Sequence, residues 1–143
     1  MGHTNDMILH GLDYKTGNPI IVNIKDGYIQ NVSLNTEIAP INNVWVGPGL
    51  VDIQVNGFKG FDFNTYPLTE EVVRNVTKFL WQEGVTSYMP TVITNSNERI
   101  EHALEVISNF IESDEMGENL LGIHLEGPFI SPEDGPRGAH NPA

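Results

Sequence analysis

Short apolar segments separated by turn residues occupy the first 47 positions of the chain. Three of these segments predict β-strands: Met7–Leu9, Pro19–Ile24 and Tyr28–Val32. Lys25–Gly27, between the last two strands, has the composition of a tight hairpin turn. The pattern therefore predicts a small β unit at the start of the chain.

From Gly49 onward the pattern changes to alternating strands and helices. Strands are predicted at 50–56, 85–94 and 119–129. A helix is predicted at 69–83, where apolar residues recur at helical spacing and Gly84 is placed to stop the helix. A second helix follows the capping residues 95–97 and ends near 113–115.

Two features of this region shape the predicted topology. Pro90 is awkward inside a central strand, and we interpret it as the end of the second strand and a turn into a loop. The β-α-β-α-β order implies parallel strands covered by helices. Such an arrangement is either an open doubly wound sheet or the beginning of a (β/α)₈ barrel. A complete barrel takes roughly 250 residues, so the barrel interpretation treats this chain as a fragment.

Composition excludes several classes of function. With 39% hydrophobic and 18% charged residues, the 143-residue chain is typical of a globular protein. A net charge of −12 leaves no basic surface for nucleic acid. We expect no membrane partner, since no apolar run approaches the roughly 18 residues needed for a span. The absence of cysteine excludes disulfides and thiolate metal sites, and it is compatible with a reducing cytoplasm.

The main candidate for chemistry is Glu126. It lies in Gly122–Phe129, where an apolar strand delivers a carboxylate and then breaks at a Gly-Pro turn. A carboxylate at the carboxyl end of a barrel strand is well placed to bind a metal ion. A turn or helix-cap carboxylate is the alternative. His124 shares the strand face of Glu126, and we interpret it as a hydrogen-bonded interior histidine rather than a second ligand.

Other polar residues are candidates for lining a site. Asp52, Gln54 and Asn56 share one face of the first strand of the alternating region. A polar barrel interior and a solvated strand face both explain them. Arg137 and His140 lie in a loop after the third strand, where they could contact an anionic or hydroxylated substrate or be solvated. The sequence contains no G-x-S-x-G, Walker or G-x-G-x-x-G motif.

Four segments carry a resemblance to a known family. They are Pro48–Gly57, Gly84–Ser87 with Pro90-Thr91, His124–Ser131 and Gly138–Pro142. In this order they resemble the N-terminal part of the N-acetylglucosamine-6-phosphate deacetylase family of the amidohydrolase superfamily. The resemblance implies an α/β fold, with the first three β/α units of a TIM-type (β/α)₈ barrel at 48–143. Part of a small β-sandwich, at 1–47, would precede the barrel.

The resemblance also implies a reaction and a site. The reaction is metal-dependent hydrolysis of the acetamide of N-acetylglucosamine 6-phosphate to glucosamine 6-phosphate and acetate, in cytoplasmic amino-sugar catabolism. Glu126 matches the carboxylate metal ligand of the family, and Ala139 and His140 match the loop that contacts the substrate. Gln54 and Asn56 stand where many amidohydrolases have histidines for a second metal. One divalent cation is therefore expected, with zinc first and iron, cobalt or manganese as alternatives.

The remaining parts of the family's site are expected beyond Ala143. They are two metal-binding histidines and the aspartate that acts as general base and acid, and the full-length form is expected to be a homodimer. With one ligand, the 143-residue chain is expected to bind metal poorly and to be inactive alone. The alternatives are another amidohydrolase, such as a deaminase or cyclic-amide hydrolase, or a non-catalytic truncated β/α module that self-associates through its open edge.

Overall fold

A computed structural model of the protein describes residues 6–36, 44–127, 129–138 and 140. The chain divides into two compact units, Met1–Pro48 and Gly49–Ala143. The predicted mixed α/β class is confirmed. The finer assignment, a sandwich part at 1–47 and a barrel part at 48–143, stays a prediction.

The first unit is a four-stranded sheet. Its strands are β1 (Met7–Asp13), β2 (Pro19–Lys25), β3 (Tyr28–Leu34) and β4 (Trp45–Val46), in the order β3-β2-β1-β4. β1 to β3 form an antiparallel meander, and β4 pairs in parallel with β1. The predicted hairpin is present: Asp26 and Gly27, with φ of 51° and 80°, form its two-residue turn. Positive φ at both central residues is what a type I′ turn requires.

Among the described residues this first unit is a single sheet. Ile20 and Val22 of β2 are buried, whereas every residue of β3 is exposed. The two-residue strand β4 was not predicted from the sequence, because two residues are too short for a periodic pattern. Gly11 marks the place where β1 approaches it, since a Cβ there would meet the Val44 carbonyl oxygen.

The second unit is built on a parallel three-stranded sheet. Its elements are β5 (Leu50–Val55), β6 (Gly57–Phe58), β7 (Phe61–Asp62), α1 (Glu70–Gln82), β8 (Val85–Ile93), α2 (Asn97–Ser113), a 3₁₀ turn (Glu115–Asn119) and β9 (His124–Glu126). The sheet order is β5-β8-β9, so β8 is the central strand, and β6 and β7 form a short antiparallel hairpin. None of the helices in the described ranges has the length and apolarity needed to cross a membrane.

The two helices form where the apolar periodicity predicts them. Glu70 and Glu71 lie in the first turn of α1, where carboxylates interact favourably with the helix dipole. Gly84, with φ of 84°, ends the segment in the left-handed conformation that glycine adopts at low cost. The apolar faces of α1 and α2 pack on the sheet, and the core includes Val73, Val76, Leu80, Ile100, Ile107 and Phe110.

Two strand predictions need correction. The strand predicted at 85–94 is present as Val85–Ile93, but the interpretation of Pro90 as its end was wrong, since β8 continues through Pro90. Pro90 lies between the isolated bridge of Tyr88 with Leu120 and the ladder that begins at Thr91, so its missing N–H costs no ladder bond. The strand predicted at 119–129 is present only at His124–Glu126: Asn119 is the last residue of the 3₁₀ turn, and Leu120 pairs with Tyr88 only as an isolated bridge.

A buried phenol links α1 to the central strand. Tyr88 is 1% exposed, and its hydroxyl lies 2.8 Å from Thr77 Oγ1. Thr77 donates its own proton to the carbonyl of Val73, at 2.9 Å. Tyr88 is therefore the donor in the pair, and both buried hydroxyls are satisfied.

Replacing Tyr88 by phenylalanine should lower the free energy of unfolding by about 1 kcal/mol, because one buried hydrogen bond is lost while Thr77 keeps its bond to Val73. Urea denaturation measures the change. Tyr66→Phe is the matched control, since the Tyr66 hydroxyl bonds Glu98 at an exposed position. A Tyr88 variant no less stable than the Tyr66 variant would contradict the assignment.

Burial raises the pKa of Tyr88 to about 12. The phenol of an unfolded chain ionises with a pKa of about 10. Because the folded state holds this proton more tightly, its contribution to stability is complete below pH 10 and is lost as the pH rises towards 12. The difference in ultraviolet absorbance titration between the wild type and Tyr88→Phe should show no ionisation of this phenol near pH 10 while the protein stays folded.

Candidate metal centre

Glu126 is the last residue of β9, at the carboxyl end of the parallel sheet. Its carboxylate accepts a hydrogen bond from Gln54 Nε2 at 3.2 Å and another from His140 Nε2 at 3.1 Å. The side chain keeps 31% of its surface exposed, so the carboxylate is neither buried nor freely solvated. A single carboxylate thus brings together three of the residues that the sequence singled out.

Gln54 reaches Glu126 from β5, although β5 and β9 are not neighbours in the sheet. Gln54 is the second-to-last residue of β5, and its backbone N–H donates to Asp52 Oδ1 at 3.0 Å. Val55, the following residue, pairs with Pro90 of β8. The carboxyl ends of β5 and β9 thus flank residues 90–93 of the central strand, and the Gln54 side chain spans the distance to Glu126.

His140 approaches Glu126 from the segment that follows β9. Since a carboxylate only accepts hydrogen bonds, His140 Nε2 carries the proton. Two backbone bonds close turns immediately before it, from Gly138 N to Gly135 O and from His140 N to Arg137 O. Ala139, predicted with His140 as a substrate contact, lies outside the described residues.

Arg137 contacts residues of its own loop in this structure. Its guanidinium donates to the carbonyl of Pro132 at 2.9 Å and forms an ion pair with Asp134. Its Nε is buried and has no hydrogen-bond partner among the described residues. The side chain interpreted from the sequence as a possible substrate contact therefore braces the turn that carries His140.

His124 lies one step back from Glu126 on the same strand face. Its Nδ1 is 3.3 Å from the hydroxyl of Thr91, which is fully buried on β8. Thr94 Oγ1, just past the end of β8, donates to the main-chain carbonyl of Glu126 at 3.1 Å. Thr91 of β8 and Thr94, just past it, thus contact His124 and Glu126 of β9. Neither threonine was assigned a role from the sequence, since threonine in or beside a strand carries no signal of its own.

Asn64 is a further residue that the sequence analysis missed. Its side chain bonds the carbonyl of Thr91 and the N–H of Ile93, at 3.1 and 2.8 Å. The only local signal is the sequence Asp62-Phe63-Asn64, in which a buried aromatic stands between two polar residues soon after a strand.

Asn56 is not a hydrogen-bond partner of Glu126, although the sequence grouped it with Gln54. Its backbone carbonyl accepts from Phe63 N at 3.0 Å, which closes the segment containing β6 and β7. A cleft of about 470 Å³ lies against residues 56–62. Lys59, within this segment, is held by Glu83 at 3.0 Å and lies over the ring of Phe79.

No cluster of three or more histidine, cysteine, aspartate or glutamate side chains suited to a metal ion occurs within the described ranges. At the candidate centre, two side chains of metal-ligand type, Glu126 and His140, are in contact. The carboxylate offers about four acceptor positions, of which Gln54 and His140 occupy two.

The known proteins to which this chain is similar are hydrolases that act on an amide bond. They include N-acetylglucosamine-6-phosphate deacetylases and the N-acetylgalactosamine-6-phosphate deacetylase of a Shewanella strain, which is 39% identical over 66% of this chain and 23% of the relative. The relative from Caenorhabditis elegans is 42% identical over 99 residues, which is 66% of this chain and 23% of the relative. The relative from Bacillus subtilis is 33% identical over 142 residues, which is 89% of this chain and 35% of the relative.

A solved structure agrees with these relatives. The N-acetylglucosamine-6-phosphate deacetylase of Thermotoga maritima is 29% identical with a TM-score of 0.70, over 87% of this chain and 33% of that one. No protein-family profile matches the chain. The resemblance drawn from the sequence motifs is confirmed. The chain spans about a quarter to a third of the length of the relatives it matches.

Gly127 tests how tightly the end of β9 is held. Its φ is 96°, and a Cβ at this position would overlap Thr94 Oγ1, the group that bonds the Glu126 carbonyl. Gly127→Ala should therefore cost the left-handed strain of about 1–2 kcal/mol and an overpacking cost of about 1–3 kcal/mol.

Gly84→Ala is the matched control, because Gly84 has a φ of 84° but nothing within 4 Å of its Cβ position. It should show the strain alone. Chemical denaturation of both variants measures the difference. Equal losses of stability would mean that Thr94 does not clamp the strand end.

Proposed function

We propose that this chain supplies the N-terminal part of a metal-dependent deacetylase that hydrolyses the acetamide of N-acetylglucosamine 6-phosphate. The products would be glucosamine 6-phosphate and acetate. The observation that carries the proposal is the Glu126 carboxylate, held at the carboxyl end of a parallel sheet between Gln54 and His140. Ligands and catalytic groups converge on this end of parallel sheets in (β/α)₈ barrels, and we propose that fold for residues 48–143.

The donor chemistry at Glu126 fits a divalent cation, with zinc as the first candidate. Its side chain is partly exposed and keeps acceptor positions beyond those used by Gln54 and His140. A hydrogen-bonded carboxylate is the usual state of a ligating one, because the outer partner fixes its orientation. Gln54 is well suited to that role, since its neutral amide orients the carboxylate without competing for the metal as an imidazole would.

A bound divalent cation would supply a water nucleophile at neutral pH and polarise the acetyl carbonyl. Glu126 would anchor the cation, and Gln54 would hold the carboxylate in a fixed orientation through its N–H. His140 would contact the sugar phosphate, with Ala139 beside it. The other ligands and the proton-transferring aspartate would come from the residues that follow this region in the relatives.

A hybrid enzyme tests the role of Glu126. The hybrid joins residues 1–143 to the remainder of the Bacillus subtilis relative, to which this chain aligns over 89% of its length. We expect the hybrid to release acetate from N-acetylglucosamine 6-phosphate and to lose activity on chelation. Glu126→Gln should lower kcat/KM by at least about 100-fold, since loss of a ligand exceeds the effect of losing an outer partner.

Glu105→Gln is the control for Glu126→Gln, because it removes the same charge from an exposed position on α2. Circular dichroism confirms that each hybrid is folded, and N-acetylgalactosamine 6-phosphate serves as the comparison substrate. A folded Glu126→Gln hybrid as active as the Glu105→Gln hybrid would rule out the metal-ligand assignment.

The 143-residue chain alone provides a second test. Because the proposal assigns the other ligands to residues that follow this region in the relatives, we expect the purified chain to release no acetate with or without added Zn²⁺. Robust turnover by the chain itself would overturn this division of the site.

A further inference from the structure

Asn64 contacts the main chain of β8 as a neighbouring strand would. Its Nδ2 donates to the carbonyl of Thr91 and its Oδ1 accepts from the N–H of Ile93. In a parallel ladder, the peptide groups of one residue bond the carbonyl and the N–H that flank a single residue of the next strand. The carboxamide of Asn64 reproduces this pattern around Val92.

This contact lies where the pairing of β5 with β8 stops. The last pair of that ladder is Val55 with Pro90, but β8 continues to Ile93. Asn64 takes up the main-chain groups of Thr91 and Ile93, which leaves the groups of Val92 for the ladder to β9. The free end of the central strand is therefore bonded on both sides.

The carboxamide is itself held by the segment that carries it. Asp62 Oδ1 accepts from the backbone N–H of Asn64 at 2.8 Å and from its Nδ2 at 3.2 Å. Phe63, between them, is fully buried and donates its N–H to the Asn56 carbonyl. The side chain of Asn64 is thus constrained at both ends.

The other side of the same stretch of β8 carries the candidate centre. Thr91 pairs with His124 and Ile93 pairs with Glu126 in the ladder to β9. Thr91 also contacts the His124 ring, and Thr94 bonds the Glu126 carbonyl. We propose that Asn64 is a positioning residue for the centre formed by Glu126, Gln54 and His140, acting through residues 91–93 of β8 and the adjoining Thr94. The metal-binding role of Glu126 rests on the proposed function, whereas the link from Asn64 to Glu126 rests on the contacts described above.

The test uses nuclear magnetic resonance of the full 143-residue chain, without metal or substrate. Asn64→Ala should speed amide hydrogen exchange at Ile93 by at least about tenfold, because the N–H loses its acceptor. It should also shift the ring signals of His124 and the side-chain amide signals of Gln54. Asn64→Asp replaces the donor by a carboxylate oxygen that faces the Thr91 carbonyl and Asp62 Oδ1, so it should move the His124 and Gln54 signals as well. This second variant decides the matter if Asn64→Ala does not fold.

Asn119→Ala is the matched control. Asn119 also donates a carboxamide N–H to β8, to the Thr86 carbonyl at 2.6 Å, but at the opposite end of the strand. It should leave the signals of His124 and Gln54 unchanged. The inference is overturned if the Asn64 variants leave those signals in place, or if Asn119→Ala moves them equally.

The outcome is separable from the proposed function, since these signals are read without any catalysis. An inactive hybrid together with shifted His124 and Gln54 signals would refute the deacetylase and keep the positioning role. An active hybrid together with unshifted signals would do the reverse.

Discussion

Parallel pairing along β8 positions the strands β5 and β9 that carry Gln54 and Glu126. On one side it aligns His124 and Glu126 with Thr91 and Ile93. On the other side it pairs Val55 with Pro90, and the Gln54 side chain bonds Glu126, 72 positions away in the chain. Because side chains alternate between the two faces of a sheet, a slip of one residue would turn the carboxylate away from Gln54. The chemistry at the strand ends therefore depends on main-chain hydrogen bonds more than on any contact between the functional side chains.

Local sequence determines much of this architecture and can be recognised in advance. Gly84 after an amphipathic segment, acidic residues at the start of α1, and Asp26-Gly27 between two apolar runs each act within a few residues, so their patterns predict structure directly. Glu126 before Gly127 belongs to the same group, since a polar residue that ends an apolar strand is visible in the sequence.

The hydrogen bonds that hold the candidate centre together join residues that are far apart in the sequence. Asn64 meets β8 across 27 to 29 positions, and Thr94 meets Glu126 across 32. Thr94 has no local pattern that distinguishes it from an ordinary residue at a strand end, and the only local signal for Asn64 is the sequence Asp62-Phe63-Asn64. Pro90 was misinterpreted for a related reason. Whether its missing N–H matters depends on the strand that pairs beside it, and those pairing residues, Leu120 and His124, lie 30 or more positions later in the chain.

The segment from Asn56 to Asn64 supplies no proposed metal ligand, yet it constrains the candidate site through Asn64. Its two ends are joined by the bond from Phe63 to Asn56, and a Cβ at Gly57 would collide with the backbone of Phe61. The spacing between strand end and carboxamide is thereby set to a definite number of residues. Surface loops ordinarily tolerate insertions and deletions as proteins diverge. Here an insertion or deletion would detach Asn64 from the central strand. Substitutions should therefore be tolerated in this loop, whereas changes in its length should not.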